Sequence, residues 1–240
     1  YIGGEGLNGQ SMTCPTPFSS AIYPNPIPPT TGAKTFLFIP PGEPTAGGYG
    51  QLSCKGWNRA LALGPALTSS YGLFDALYAP GTNFLYTGGP TGQITEGSGT
   101  YDYLRAIMTI QPTVVYQTTS LGQPSAPPPP APPSPPAVPE PLNPLYPYTA
   151  VSTVANAILS LPMPSPTATS TSYAIAWQAT EMVPLVQMVY QGLGGNINVI
   201  PTTQPNSDTM YQITMTSNGQ LSFKIVHENL NKLPNTCYQP

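Results

Sequence analysis

Thr209-Met210-Tyr211-Gln212-Ile213-Thr214-Met215-Thr216, followed by Ser217-Asn218-Gly219 and then Leu221-Ser222-Phe223-Lys224-Ile225-Val226, reads as a β-hairpin. A two-residue Asn218-Gly219 loop would pair Ile213 with Lys224 and mix the faces. A three-residue loop with Gly219 left-handed pairs Tyr211 with Ile225, Ile213 with Phe223 and Met215 with Leu221. Side chains alternate along a strand, so a one-residue slip inverts every face, and the second register keeps one face apolar throughout. The other face, with Gln212, Thr214, Thr216, Ser222 and Lys224, is polar. This pattern predicts a half-buried antiparallel sheet, covered on its apolar side by a helix or a second sheet.

Working outward, Thr149–Leu161 sets Val151, Val154, Ala155, Ile158 and Leu159 on one helical stripe that Pro162 ends. Ser172–Gln178 alternates through Tyr173, Ile175 and Trp177 as a strand, and Ile197–Ile200 reads as another. Pro184–Tyr190 suits either a first helical turn or an edge strand. Upstream, Thr35–Ile39 is a strand stopped by Pro40-Pro41. Asn58–Leu63, ended by Gly64-Pro65, and Tyr71–Tyr78 carry short helical patterns, as does Tyr101–Ile110, with Val114–Tyr116 extended after it. The expected fold class is β-rich α+β: an antiparallel sheet or sandwich with a few short helices.

Between these halves, Pro124–Pro147 carries 13 prolines in 24 residues. Proline locks φ and removes the N–H donor, which leaves polyproline II, and 18 such residues span about 56 Å. The division expected is therefore 1–121, a proline-rich strap or linker over 122–147, and 148–240. The strap's composition resembles the Ser/Pro-rich spacers of secreted cell-wall and appendage glycoproteins.

Composition narrows the function. Six Lys+Arg and nine Asp+Glu make 6% charged residues in 240, where soluble domains average roughly 25%. Six basic side chains cannot neutralise a row of phosphates, which argues against nucleic acid, and no apolar run is long enough for a membrane span. Hydroxyl residues are abundant (28 Thr and 18 Ser), yet no asparagine opens an Asn-x-Ser/Thr sequon, which leaves only O-linked glycans on Ser, Thr or hydroxylated Pro open as decoration. Cys14, Cys54 and Cys237 follow no metal spacing. Cys14–Cys54 is the candidate disulfide, with Cys237 as an intersubunit thiol or alternative partner, in an extracellular setting.

Chemistry is sparsely staffed. His227 is the single histidine, beside Glu228, with no nucleophile near it in sequence. Gly97-Ser98-Gly99 lacks a nucleophile-elbow context. Asp75, Glu96, Asp102 and Glu181 are the carboxylates available for glycoside cleavage. Asn206-Ser207-Asp208 and Tyr101-Asp102-Tyr103 match no calcium loop. No catalytic, metal or cofactor residue is assigned, and no enzyme is expected. Trp57 and Trp177 are candidate sugar-stacking rings. Low charge and sheet edges open to pairing predict a secreted structural subunit that assembles with copies of itself into a filament or surface fibre. A carbohydrate-binding or cell-wall-attached module and a viral capsid or spike subunit are the alternatives.

Overall fold

The structure is a computed structural model that describes residues 31–45, 48–80, 93–96, 99–102, 104–121, 143–146, 148–167 and 169–236. Cys14, Cys237 and most of the proline-rich strap lie outside them. In chain order the elements are β1 (Lys34–Ile39), β2 (Pro44–Thr45), β3 (Gly48–Leu52), α1 (Cys54–Tyr71), β4 (Ala76–Pro80), β5 (Gln93–Glu96), β6 (Gly99–Asp102) and α2 (Arg105–Leu121). There follow β7 (Asn143–Tyr146), α3 (Val151–Leu159), β8 (Thr171–Ala176), α4 (Ala179–Gly192), β9 (Thr209–Met215) and β10 (Leu221–His227).

Six strands form one sheet in the order β10-β9-β1-β8-β4-β7. β1, β8, β4 and β7 run parallel, while β9 lies antiparallel to β1 and carries β10 as its hairpin partner. The expected antiparallel sheet or sandwich is thus corrected to a mixed Rossmann-like α/β sheet with helices on both faces. The reason is visible in β1. Phe36 and Phe38 point into one core with α3 and α4, and Leu37 and Ile39 into a second core with residues of α1 and α2. All four are fully buried. A continuous apolar run of this kind is what a parallel strand covered on both faces requires. In β8, Ala174 and Ala176 fill the second core while Tyr173 and Ile175, with Trp177 just beyond, fill the first.

The hairpin has the expected register, Leu221 opposite Met215, Phe223 opposite Ile213 and Ile225 opposite Tyr211, with Gly219 at φ 82°. It is the edge of the sheet, not its pattern. Strands from both sides of the strap interleave, since β1 lies between β9 and β8. Within the strap, Asn143–Tyr146 is not polyproline II but the edge strand β7.

Several local expectations change. α1 runs through Gly64-Pro65 from an Ser53 cap, whose Oγ accepts from the Gly56 N–H at 3.1 Å, to Gly72 at φ 74°. Tyr71–Tyr78 holds the end of that helix and the start of β4. Val114–Tyr116 belongs to α2, Pro184 to α4, and Ile197–Val199 is a single 3₁₀ turn.

Candidate functional site

Open α/β sheets bind ligands beyond the carboxyl ends of their parallel strands, where successive crossovers diverge. Here the chain leaves β1 through α1 on one face toward β4, and leaves β8 through α4 on the other face toward β9. The divergence falls between β1 and β8. That position is filled. Pro40, Pro41 and Gly42 follow β1 and are buried. The Gly42 N–H donates to Thr109 Oγ1 at 2.8 Å, and Thr109 Oγ1 donates to the Arg105 carbonyl at 2.7 Å. After β8, Trp177 is fully buried and its Nε1 donates to the Tyr148 carbonyl at 2.9 Å. Gln178 Oε1 accepts from the backbone N–H groups of Thr180 and Glu181, at 2.6 and 3.1 Å, so α4 caps its own N-terminus. Burial, with the Glu181 charge second, pushes the Tyr148 phenol up.

The chemistry stands one strand over on the same edge. Arg59, on the buried side of α1, has no solvent exposure. Its Nε and Nη2 grip Glu43 Oε2 and Oε1 at 3.0 and 2.8 Å. Nη1 donates to Glu228 Oε2 at 2.7 Å and to Asp208 Oδ1 at 3.4 Å, and Nη2 also reaches Asn231 Oδ1 at 3.1 Å. Lys55 Nζ lies 3.4 Å from Glu43 Oε1. The fold explains the convergence: Glu43 follows β1, Asp208 precedes β9, and the hairpin register that sets His227 opposite Thr209 returns Glu228 beside Asp208. The Glu228 N–H donates to the Asp208 carbonyl at 2.9 Å, and the Leu230 N–H to Asp208 Oδ1 at 3.1 Å. Five of the chain's 15 formal charges thus meet at one edge, in a protein that has few to place.

Their electrostatics differ. Burial pushes the Glu43 carboxyl up, but Arg59, through its hydrogen bonds and charge, outweighs it and holds Glu43 below the usual range. Burial opposes the charge on Arg59, and Glu43 and Glu228 more than restore it. Glu228 is pushed up to about 8 by its complete burial; Arg59 pulls against the shift, and Asp208 and Glu43 add to it. Its Oε1 has no hydrogen-bond partner among the described residues. His227 is the exposed member, its side chain 57% accessible, with Nδ1 3.8 Å from Asp208 Oδ2.

The other sequence candidates are dispersed. Trp177 is sealed in the core and offers no face to a sugar; Trp57 is half-buried against Leu52, Ala60 and Met108. Asp75 accepts the Ser172 N–H at 2.7 Å at the amino end of β8, the opposite edge from Glu181 in the first turn of α4. Glu96 and Asp102 lie on the separate β5–β6 pair. Asn206-Ser207-Asp208 is a turn in which Asn206 Oδ1 accepts the Asp208 N–H at 3.0 Å. Among the described residues no His, Cys, Asp and Glu cluster is arranged for a metal, and no helix is long and apolar enough to cross a membrane. Cys54 is disulfide-bonded, while Cys14 and Cys237 lie outside the described residues. The Arg59 cluster itself was missed. Its signal is an arginine set among Gly56, Ala60, Leu63 and Leu67 on the apolar stripe of α1, which demands buried carboxylates.

No family model matches the chain, and no curated protein does. Among solved structures, a crystal structure of phosphoglycerate mutase from Plasmodium falciparum is similar at 10% identity, covering 87% of this chain and 98% of that one, with a TM-score of 0.45. The expectation of a self-assembling fibre subunit, with its alternatives of a sugar-binding module and a capsid or spike subunit, is corrected here. It rested on low charge and on the open edges of an antiparallel sheet, whereas the central strands are parallel, covered on both faces, and the few charges are drawn together at one buried edge. The expectation that the protein is no enzyme falls with it.

Proposed function

We propose that the protein is an α/β enzyme of the acid–base type, with His227 as the solvent-facing proton carrier and Asp208 as the group that orients it. The substrate is a small polar molecule met at the carboxyl edge. The observation that supports this reading is the concentration of ionisable groups there, including a wholly buried glutamic acid pushed up to about 8. Strongly shifted groups gather at functional sites because catalysis needs proton carriers near the working pH. In the reading, Arg59 fixes Glu43, Asp208 and Glu228 so that Asp208 presents one carboxylate oxygen to His227. A disulfide at Cys54 supports an oxidising, extracytoplasmic setting for the protein.

The test is a panel of chromogenic carboxylic esters, phosphomonoesters and glycosides. Turnover of one class, reduced about 100-fold or more in His227→Ala and in His227→Gln with unchanged circular dichroism, is the expected result. Turnover that ignores both substitutions, or no turnover across the panel, overturns the reading.

A further inference from the structure

All five N–H donors of Arg59 are committed: Nε and Nη2 to Glu43, Nη2 also to Asn231, and Nη1 to Glu228 Oε2 and Asp208 Oδ1. None is left for Glu228 Oε1, which is buried without a hydrogen-bond partner among the described residues. A carboxylate held out of water needs donors on both oxygens, whereas a neutral carboxylic acid carries its own proton on one of them and no charge. The closed arrangement therefore suits the acid and not the anion. The charges that face Glu228 divide in the same way. Arg59, from α1, favours the anion, while Asp208, before β9, and Glu43, after β1, oppose it. Lys55 on α1 is engaged by Glu43, His227 at the end of β10 lies 3.8 Å from Asp208 Oδ2, and Lys232 is exposed.

Glu228 also opens a segment that can lift without disturbing the sheet. Asn229 follows it at φ 58°, a left-handed turn that asparagine tolerates, with Nδ2 donating to the His227 carbonyl at 3.3 Å. Beyond this pivot the Leu230 N–H holds Asp208 Oδ1, Leu230 is buried in the second core and Leu233 packs against that core. At the far end Asn58 Nδ2 donates to the carbonyls of Pro234 at 2.9 Å and Thr236 at 3.1 Å, and the Lys55 N–H donates to Asn235 Oδ1 at 3.3 Å, all at exposed positions. We infer that residues 228–236 are a clasp that the Glu228 proton keeps closed over Arg59, and that the clasp lifts from α1 when this proton leaves. The step is a simple ionisation: the carboxyl O–H breaks, the proton passes to solvent, and the carboxylate is hydrated as the clasp opens. Opening withdraws the Leu230 N–H from Asp208 and bares Arg59 to water.

Trypsin tests the clasp, because Lys232 lies within it and a protease cuts the opened form. Cleavage after Lys232 is followed by mass spectrometry between pH 6 and 9, each rate being divided by that of a free 228–236 peptide. With the carboxyl at about 8 when closed and near 4.5 when hydrated, the rate should rise about tenfold per pH unit up to pH 8 and level off above it. Glu228→Gln should give a low, flat profile, and His227→Gln should keep the rise. A flat native profile, or a rise that survives Glu228→Gln and disappears in His227→Gln, overturns the inference. So does cleavage at Lys34, inside the sheet, as fast as at Lys232, since the whole chain would then be opening. Infrared spectroscopy needs no variant: the carbonyl stretch of a protonated carboxylic acid should be present in the native protein at pH 6.5 and fade near pH 8. Its absence at pH 6.5 overturns the inference. Neither measurement uses a substrate, so both are independent of the proposed activity.

Discussion

Arg59 is the residue on which the carboxyl edge depends. Three carboxyl groups, with the Glu43 carboxylate held most firmly, approach one guanidinium that has no access to water. Removing one partner of a buried ion pair leaves an uncompensated charge and costs about 3–5 kcal/mol. Arg59→Met should therefore lower stability by that order in urea denaturation. Arg59→Lys should recover only a small part, because an ammonium cannot reproduce the two-pronged grip on Glu43. Glu228 makes a separate prediction with a definite sign. Its carboxyl shifts from 4.5 in the unfolded chain to about 8 in the folded one. A raised acid contributes stability that is complete below the unfolded value and is lost as pH rises toward and through the folded value. Between about pH 4.5 and 8 the native protein should lose stability relative to Glu228→Gln, on the order of a few kcal/mol over the window. Glu43 works in the opposite sense, since its lowered carboxyl contributes above the unfolded value and is lost in acid. Urea midpoints of the native protein and Glu228→Gln across that range, at constant salt, separate the two, and a constant difference would refute the assignment.

At the scale of elements, the sequence was legible where a repeat pattern met a single cover and illegible where Gly and Pro stood inside a helix. The β9–β10 register and the α3 stripe could be read directly, because one face of each is apolar and the other polar. Gly64-Pro65 reads as a stop, yet α1 continues through it. Gly64 is a crossing point: a Cβ there would lie 3.0 Å from Tyr116 Cβ and 3.2 Å from Thr113 Cα, both on α2. The proline leaves the Leu61 carbonyl without its helical donor, and Leu61 lies on the exposed side of the helix, where water can take the bond. No local pattern announces either circumstance, since both depend on where α2 packs. Alanine in place of glycine usually stabilises a helix interior by about 1 kcal/mol. Gly64→Ala should instead destabilise by about 1–3 kcal/mol, because α2 must move aside. A thermal melt of the variant gives the sign. Gly56→Ala should be worse, since its Cβ would stand 2.5 Å from the Glu43 carbonyl oxygen and spread the loop that holds Glu43 against Arg59.

For the whole molecule, the fold turns on how many faces of the central strands are covered. Tyr173, Ile175 and Trp177 alternating with Ala174 and Ala176 look like a large-in, small-out strand, but the alanines are as deeply buried as their neighbours. The large residues meet α3 and α4, and the small ones let α1 and α2 approach the other face. Alternation in size is not alternation in polarity, and only the second marks a face open to water. The Arg59 cluster was illegible for a related reason: Glu43, Arg59, Asp208 and Glu228 are far apart in the chain, and only the antiparallel addition of β9 and β10 to β1 gathers them. This arrangement grades stability across the sheet. β1 and β8 have strands on both sides and helices on both faces, whereas β10 is an edge strand with Ile225 exposed. Amides whose hydrogen bonds break only on global unfolding exchange slowest, and those of frayed edges exchange through local opening. The amides of Leu37, Phe38, Ala174 and Ile175 should therefore share one highest protection, equal to the unfolding free energy from urea. Those of Ser222, Lys224 and Val226 should exchange at least about tenfold faster. An antiparallel sheet covered on one side would protect β9 and β10 as well as β1. Native-state exchange that found the hairpin equal to β1 would contradict the arrangement of layers described above.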